Sequence, residues 1–195
     1  MSLVEHLQQQ IYDAIAVQEE AAEALSAPLA QAVQRIVHGL MNDGRIWVCG
    51  SGATAALAQL FALCLVHRLE AQRPALPAVC LAGDAALLTG IAGDGGLERI
   101  YARQLEALGA PADLLLILAE TGDEPPLCAA LQCAQDKSMG VIALTGHAGG
   151  RLAEALRAED QLIVLPAHAP ARVRESMLLA LHCLCEGIDH SLLGA

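Results

Sequence analysis

Five short apolar runs, at residues 45–49, 78–81, 114–118, 141–144 and 162–165, alternate with stretches of helix-like sequence. This alternation constrains the fold more than any other feature of the chain. Unbroken apolar runs of this length suit strands buried on both faces, the environment of a parallel sheet covered by helices. Each run ends in Gly or Pro punctuation, and most lead into another helical stretch. The pattern predicts an α/β protein, a flavodoxin-like three-layer αβα sandwich with a five-stranded parallel sheet.

The ends of the chain read as helical. Ser2 with Glu5 forms a capping-box pattern, and Val4, Leu7, Ile11, Ile15 and Val17 recur at near-helical spacing. Ser26-Ala27-Pro28 predicts a second helix start, with Leu29, Val33, Ile36, Val37 and Leu40 on one face and a stop at Asn42-Asp43-Gly44. Residues 1–43 are therefore expected to be N-terminal helices that precede the sheet and serve oligomerisation. Residues 171–192 predict a last long helix carrying Val173, Met177, Leu181, Leu184 and Ile188 on one side. No linker or repeat divides the 195 residues, so a single domain is expected.

Composition narrows the function classes. A hydrophobic fraction of 55% supplies a core, yet no apolar stretch reaches the roughly 18 residues of a membrane span. The N-terminus has no basic stretch before an apolar block, so no secretory signal is expected. Seven cysteines, without metal-type pair spacing and mostly within apolar segments, predict reduced thiols in a cytoplasm and no metal. A net charge of −11 opposes direct nucleic-acid binding, because that affinity comes chiefly from Lys and Arg. One Trp, two Tyr and one Phe offer few stacking platforms. Trp47, mid-strand, is expected in the core, and His147 and His168 in solvated loops.

Two loops carry the chemistry. Gly50-Ser51-Gly52-Ala53-Thr54-Ala55 satisfies G-x-G-x-x-A between a strand and a helix, but the acid that a dinucleotide site needs about 20 residues on is absent. These glycines let a phosphate or a neighbouring backbone approach the helix, and no cofactor is expected. Ala119-Glu120-Thr121-Gly122-Asp123-Glu124 follows the third run and sets three carboxylates where such folds usually hold an anion. Each repels a phosphate by about 1 kcal/mol at 4 Å in water and more when desolvated.

The whole chain resembles the sugar isomerase (SIS) domain family, and within it the phosphoheptose isomerases and the DnaA initiator-associating (DiaA-like) proteins. The likeness rests on residues 48–52 (Val-Cys-Gly-Ser-Gly), 73–78 (Arg-Pro-Ala-Leu-Pro-Ala), 92–94 (Ala-Gly-Asp) and 105–109 (Leu-Glu-Ala-Leu-Gly). It continues through Ala143-Leu144-Thr145-Gly146 with Gly149-Gly150, and residues 182–189 (His-Cys-Leu-Cys-Glu-Gly-Ile-Asp). The resemblance implies a homotetramer joined through the N-terminal helices, with ligand sites at subunit junctions. It also implies ligand-binding roles for Gly50, Ser51, Gly52, Thr54, Asp94, Thr121 and Gly122, around a phosphosugar.

Active heptose isomerases of this family use a His and a Glu one turn apart after the first Gly loop, and a Gln and a His on the last helix. Several members hold zinc there. In this chain the corresponding places read Leu60, Cys64, Arg174 and His182, so only the residual His182 is retained. These replacements lead to the expectation of a non-catalytic or impaired SIS protein resembling the DiaA-like members. Such a protein binds the initiator DnaA, promotes its assembly at the origin, and uses Leu192 and Leu193 in the contact. The alternatives are a phosphoheptose (sedoheptulose 7-phosphate) isomerase with a rebuilt site, and a sugar-phosphate sensor.

Overall fold

A computed structural model describes residues 1–194. Five strands, β1 (Ile46–Gly50), β2 (Ala78–Cys80), β3 (Leu114–Ala119), β4 (Gly140–Thr145) and β5 (Gln161–Val164), form one parallel sheet in the order β2-β1-β3-β4-β5. Helices α1 (Leu3–Met41), α2 (Ala53–Val66) and α7 (Pro170–Leu193) belong to one face. The other is covered by α4 (Ala102–Leu108), α5 (Pro125–Asp136) and α6 (Gly150–Ala155). Alternate residues of β3 serve the two cores, Leu114, Leu116 and Leu118 on one side and Leu115, Ile117 and Ala119 on the other. This is why the run had to be apolar at every position rather than at every second one. The expected αβα sandwich is present.

The N-terminal region departs from expectation. One helix, α1, runs unbroken from Leu3 to Met41 with Pro28 inside it, where two helices were predicted. The Ser26 hydroxyl bonds back to the Ala22 carbonyl instead of capping a new helix. Around Pro28, burial of Ala21, Leu25, Leu29, Ala32, Val33 and Ile36 holds the helix together, and Gln161 Nε2 donates to the Pro28 carbonyl. Packing here outweighs a proline that costs an isolated helix interior about 3 kcal/mol. The capping box at Ser2 and Glu5 forms as expected.

The lower end of the sheet is pinned by Asp113, a buried carboxylate before β3. It accepts from the backbone N–H groups of Arg45 and Ala110 and from Trp47 Nε1, at 2.8, 2.9 and 2.8 Å. Trp47 is thus a core residue with its polar edge satisfied. No described helix is long and apolar enough to cross a membrane.

Candidate functional site

The strand order reverses between β1 and β3, because the chain passes from β1 outward to β2 and then returns to β1's other side. In doubly wound sheets the crevice beyond the carboxyl ends of the strands at such a switch point takes the ligand. Both loops singled out from the sequence border that crevice. Gly50 pairs with Leu118 in register, so the β1–α2 and β3–α5 loops start side by side.

Backbone packing explains the first loop. A Cβ on Gly50 would come within 2.4 Å of the Thr54 carbonyl oxygen, and Gly52 has φ +60°. The Thr54 hydroxyl accepts from Ser51 N–H at 2.9 Å and donates to the Leu118 carbonyl at 2.7 Å. Thr54 is fully buried, so it locks the two loops together and offers no hydroxyl to solvent. Asp94 lies exposed on α3 (Ala85–Gly95), a helix with no buried residue.

The second loop is tied to its neighbours at every turn. Gly122, at φ +87°, has room only for hydrogen, since a Cβ would lie 1.9 Å from the Gly149 carbonyl oxygen. Thr121 is exposed, and its hydroxyl accepts from Asp123 N–H at 3.2 Å. Each of the three carboxylates has a partner. Arg174 on α7 grips Glu120 through Nε and Nη2 at 2.6 and 3.2 Å. Asp123 accepts from Arg151 N–H at 2.9 Å. Glu124 accepts from the backbone N–H groups of Glu120, Thr121 and Gly122. Glu120's hydrogen bonds push the Arg174 guanidinium further above its ordinary value. The loop that the sequence presented as bare negative charge is therefore internally compensated. Neither Glu124's backward reach nor the Arg174–Glu120 pair was anticipated, and the one local signal was a Glu directly before Pro125-Pro126.

Of the four places compared with active heptose isomerases, Leu60 is partly buried against the core, Cys64 is buried, Arg174 is exposed and paired, and His182 is half-buried on α7. Cys64 on α2 and Cys185 on α7 are both buried, and burial pushes both thiols up, which keeps them protonated. This donor set does not fit zinc. Leu60 has no donor atom, Arg174 is a cation, and no three His, Cys, Asp or Glu side chains converge among the described residues. His147 and His168, both exposed as expected, come together with ring centroids 5.6 Å apart. Leu193 is exposed at the end of α7, whereas Leu192 packs partly against the core.

The fold defines a doubly wound α/β protein, a class in which small ligands bind at the switch point. Residues 11–146 match the SIS domain. Over 194 residues, 100% of this chain and 98% of the relative, the sequence is 43% identical to the phosphoheptose isomerase of Azoarcus sp. (strain BH72). It is 41% identical, over 100% of this chain and 99% of the relative, to that of Laribacter hongkongensis (strain HLHK9). The structure of a phosphoheptose isomerase from Francisella tularensis superposes with a TM-score of 0.92 at 34% identity, covering 97% of this chain and 100% of that one. Phosphoheptose isomerase GmhA from Neisseria gonorrhoeae gives a TM-score of 0.91 at 34% identity, covering 96% and 99%. The chain belongs to the SIS domain family, in its phosphoheptose isomerase branch.

These relatives overturn the expectation of a non-catalytic, DiaA-like protein that binds DnaA. Chains alike over the full length bear the name of an enzyme, so the leaning away from catalysis is corrected as well. That expectation leaned on side chains at Leu60, Cys64 and Arg174. It gave too little weight to the rest of the chain, whose backbone builds the crevice.

Proposed function

We propose that the chain is a phosphoheptose isomerase, acting on sedoheptulose 7-phosphate through a rebuilt site. The observation that carries this reading is the likeness, over the whole chain in both sequence and fold, to proteins of that name. Moving a proton between adjacent carbons requires a group that takes the proton from one carbon and returns it to the other. His182 supplies an imidazole that can take and return a proton, half-buried on α7. The β1–α2 loop at Gly50, Ser51 and Gly52 and the β3–α5 loop at Thr121 and Gly122 border the phosphosugar. Arg174, anchored by Glu120, is a cation beside the β3–α5 loop. The test is an assay of the purified protein on sedoheptulose 7-phosphate. Turnover of about 1 per second or more is expected, and none at millimolar substrate would overturn the reading.

The reading includes assembly into a homotetramer in a reducing cytoplasm. Leu3, Val4, Leu7, Ile11, Tyr12 and Ile15 on α1 are all exposed, an apolar stripe larger than a monomer usually leaves to water. Beside it Arg172 Nη1 donates to the Gln10 carbonyl at 2.8 Å, which holds the stripe against the start of α7. A symmetric partner covers such a face with the same face. Replacing Ile11 and Ile15 by Asp is expected to convert the assembly into smaller species by light scattering. The parent protein scattering as a monomer at micromolar concentration contradicts the proposal.

A further inference from the structure

Three successive backbone N–H groups converge on one side chain in the β3–α5 loop. Those of Glu120 and Thr121 reach Oε1 of Glu124 at 3.0 and 3.1 Å, and that of Gly122 reaches Oε2 at 2.9 Å. A concave row of N–H groups is an anion-binding nest, and charge-assisted bonds of this kind are among the strongest available to a carboxylate. Glu124 precedes Pro125 at the start of α5 but makes no cap bond to that helix. Its carboxylate turns back and fills the nest.

Two further donors beside the nest are also engaged. Asp123 N–H is taken by Thr121 Oγ1, and Arg174 by Glu120. A separate feature at this end of the sheet is an unpartnered buried hydroxyl. Thr145 pairs in register with Ala119, the residue directly before the nest, is wholly buried, and has no hydrogen-bond partner for Oγ1. A buried hydroxyl is normally satisfied.

We propose that Glu124 is a specificity-determining residue, an internal carboxylate seated where the phosphate of the substrate binds. A phosphate ester has to displace Glu124 from the three N–H groups before it can use them. The native chain therefore holds phosphate groups weakly, and the sugar part of the substrate supplies most of the recognition. This assignment rests on the isomerase reading given above.

The test titrates inorganic phosphate calorimetrically into the parent protein, Glu124→Ser and Glu124→Gln, and measures KM for sedoheptulose 7-phosphate in each. Glu124→Ser vacates the nest and is expected to bind inorganic phosphate at least about tenfold more tightly than the parent, with a parallel fall in KM. Glu124→Gln keeps the shape, removes the charge, and is expected to give a smaller gain. It decides the matter if the melting curve shows that the serine variant does not fold. Equal phosphate affinity in parent and folded variants overturns the assignment. Tighter phosphate binding without turnover in any of the proteins supports Glu124's role while rejecting the isomerase reading. Turnover with an unchanged KM does the reverse.

Discussion

Replacing His182 by alanine lowers turnover of sedoheptulose 7-phosphate about 10²–10⁴-fold, the range expected when a positioned general acid–base is lost. The factor corresponds to about 3–5 kcal/mol of transition-state stabilisation. Of the places where active relatives carry proton-transfer or ligand groups, Leu60 has no titratable atom, Cys64 is kept protonated by burial, and Arg174 is held as a cation by Glu120. On the proposed isomerase reading, His182 is the one of these four places able to take and return the proton. His182→Gln keeps a hydrogen-bonding side chain of similar reach but cannot shuttle a proton, so it should fall as far as alanine. Cys183→Ser, the exposed neighbour on the same helix, should keep the parent rate. A steady-state assay decides, with melting curves to show that each variant is folded. Parent-like kcat in His182→Ala removes His182 from the chemistry.

Replacing Arg73 by alanine destabilises the fold by about 3–5 kcal/mol, the cost of breaking a buried ion pair by removing one partner. The Arg73 side chain is 1% exposed, and its Nε donates to the buried carboxylate of Asp189 on α7. Its Nη2 and Nη1 donate to the Cys64 and Leu65 carbonyls, each at 2.8 Å. Those carbonyls belong to the last turn of α2, where no helical N–H remains to satisfy them. One guanidinium thus caps a helix and neutralises a charge. Lysine keeps the charge but not the planar fork, so Arg73→Lys should lose a large part of the stability as well. Arg73→Met combined with Asp189→Leu removes both charges and should recover much of it. Urea unfolding at one fixed protein concentration measures the series. An Arg73→Ala midpoint within error of the parent would show that the pair contributes nothing.

The five strands were legible because burial on two faces demands an apolar residue at each position, and that demand is written locally. The observed strands coincide with the predicted runs to within a residue or two. The capping box at Ser2 was legible for the same reason, since both partners lie within four residues. Ser26-Ala27-Pro28 misled because its meaning depends on what packs around it. The same three residues start a helix on a bare surface, but remain inside one when Ala21, Leu25 and Leu29 are buried.

The site divides along the same line. The placement of its two loops was readable: Gly50-Ser51-Gly52 and Thr121-Gly122 follow strands, and in a parallel sheet the strand ends gather at one edge. Its electrostatics were not. Glu120, Asp123 and Glu124 look alike in the sequence as three acids in one loop, and only the folded chain distinguishes them. Glu120 meets an arginine 54 residues away, and Asp123 a backbone N–H 28 residues away. Glu124 turns onto the loop that precedes it. The sequence by itself determined the α/β architecture, the family and the edge of the sheet where the two glycine loops gather, because hydrophobic periodicity and strand-end glycines act over a few residues. Tertiary structure alone decided which charge is free, paired or spent on the backbone. A carboxylate's partner is whichever donor the fold brings within about 3 Å, and that distance is set by packing between segments remote in the chain.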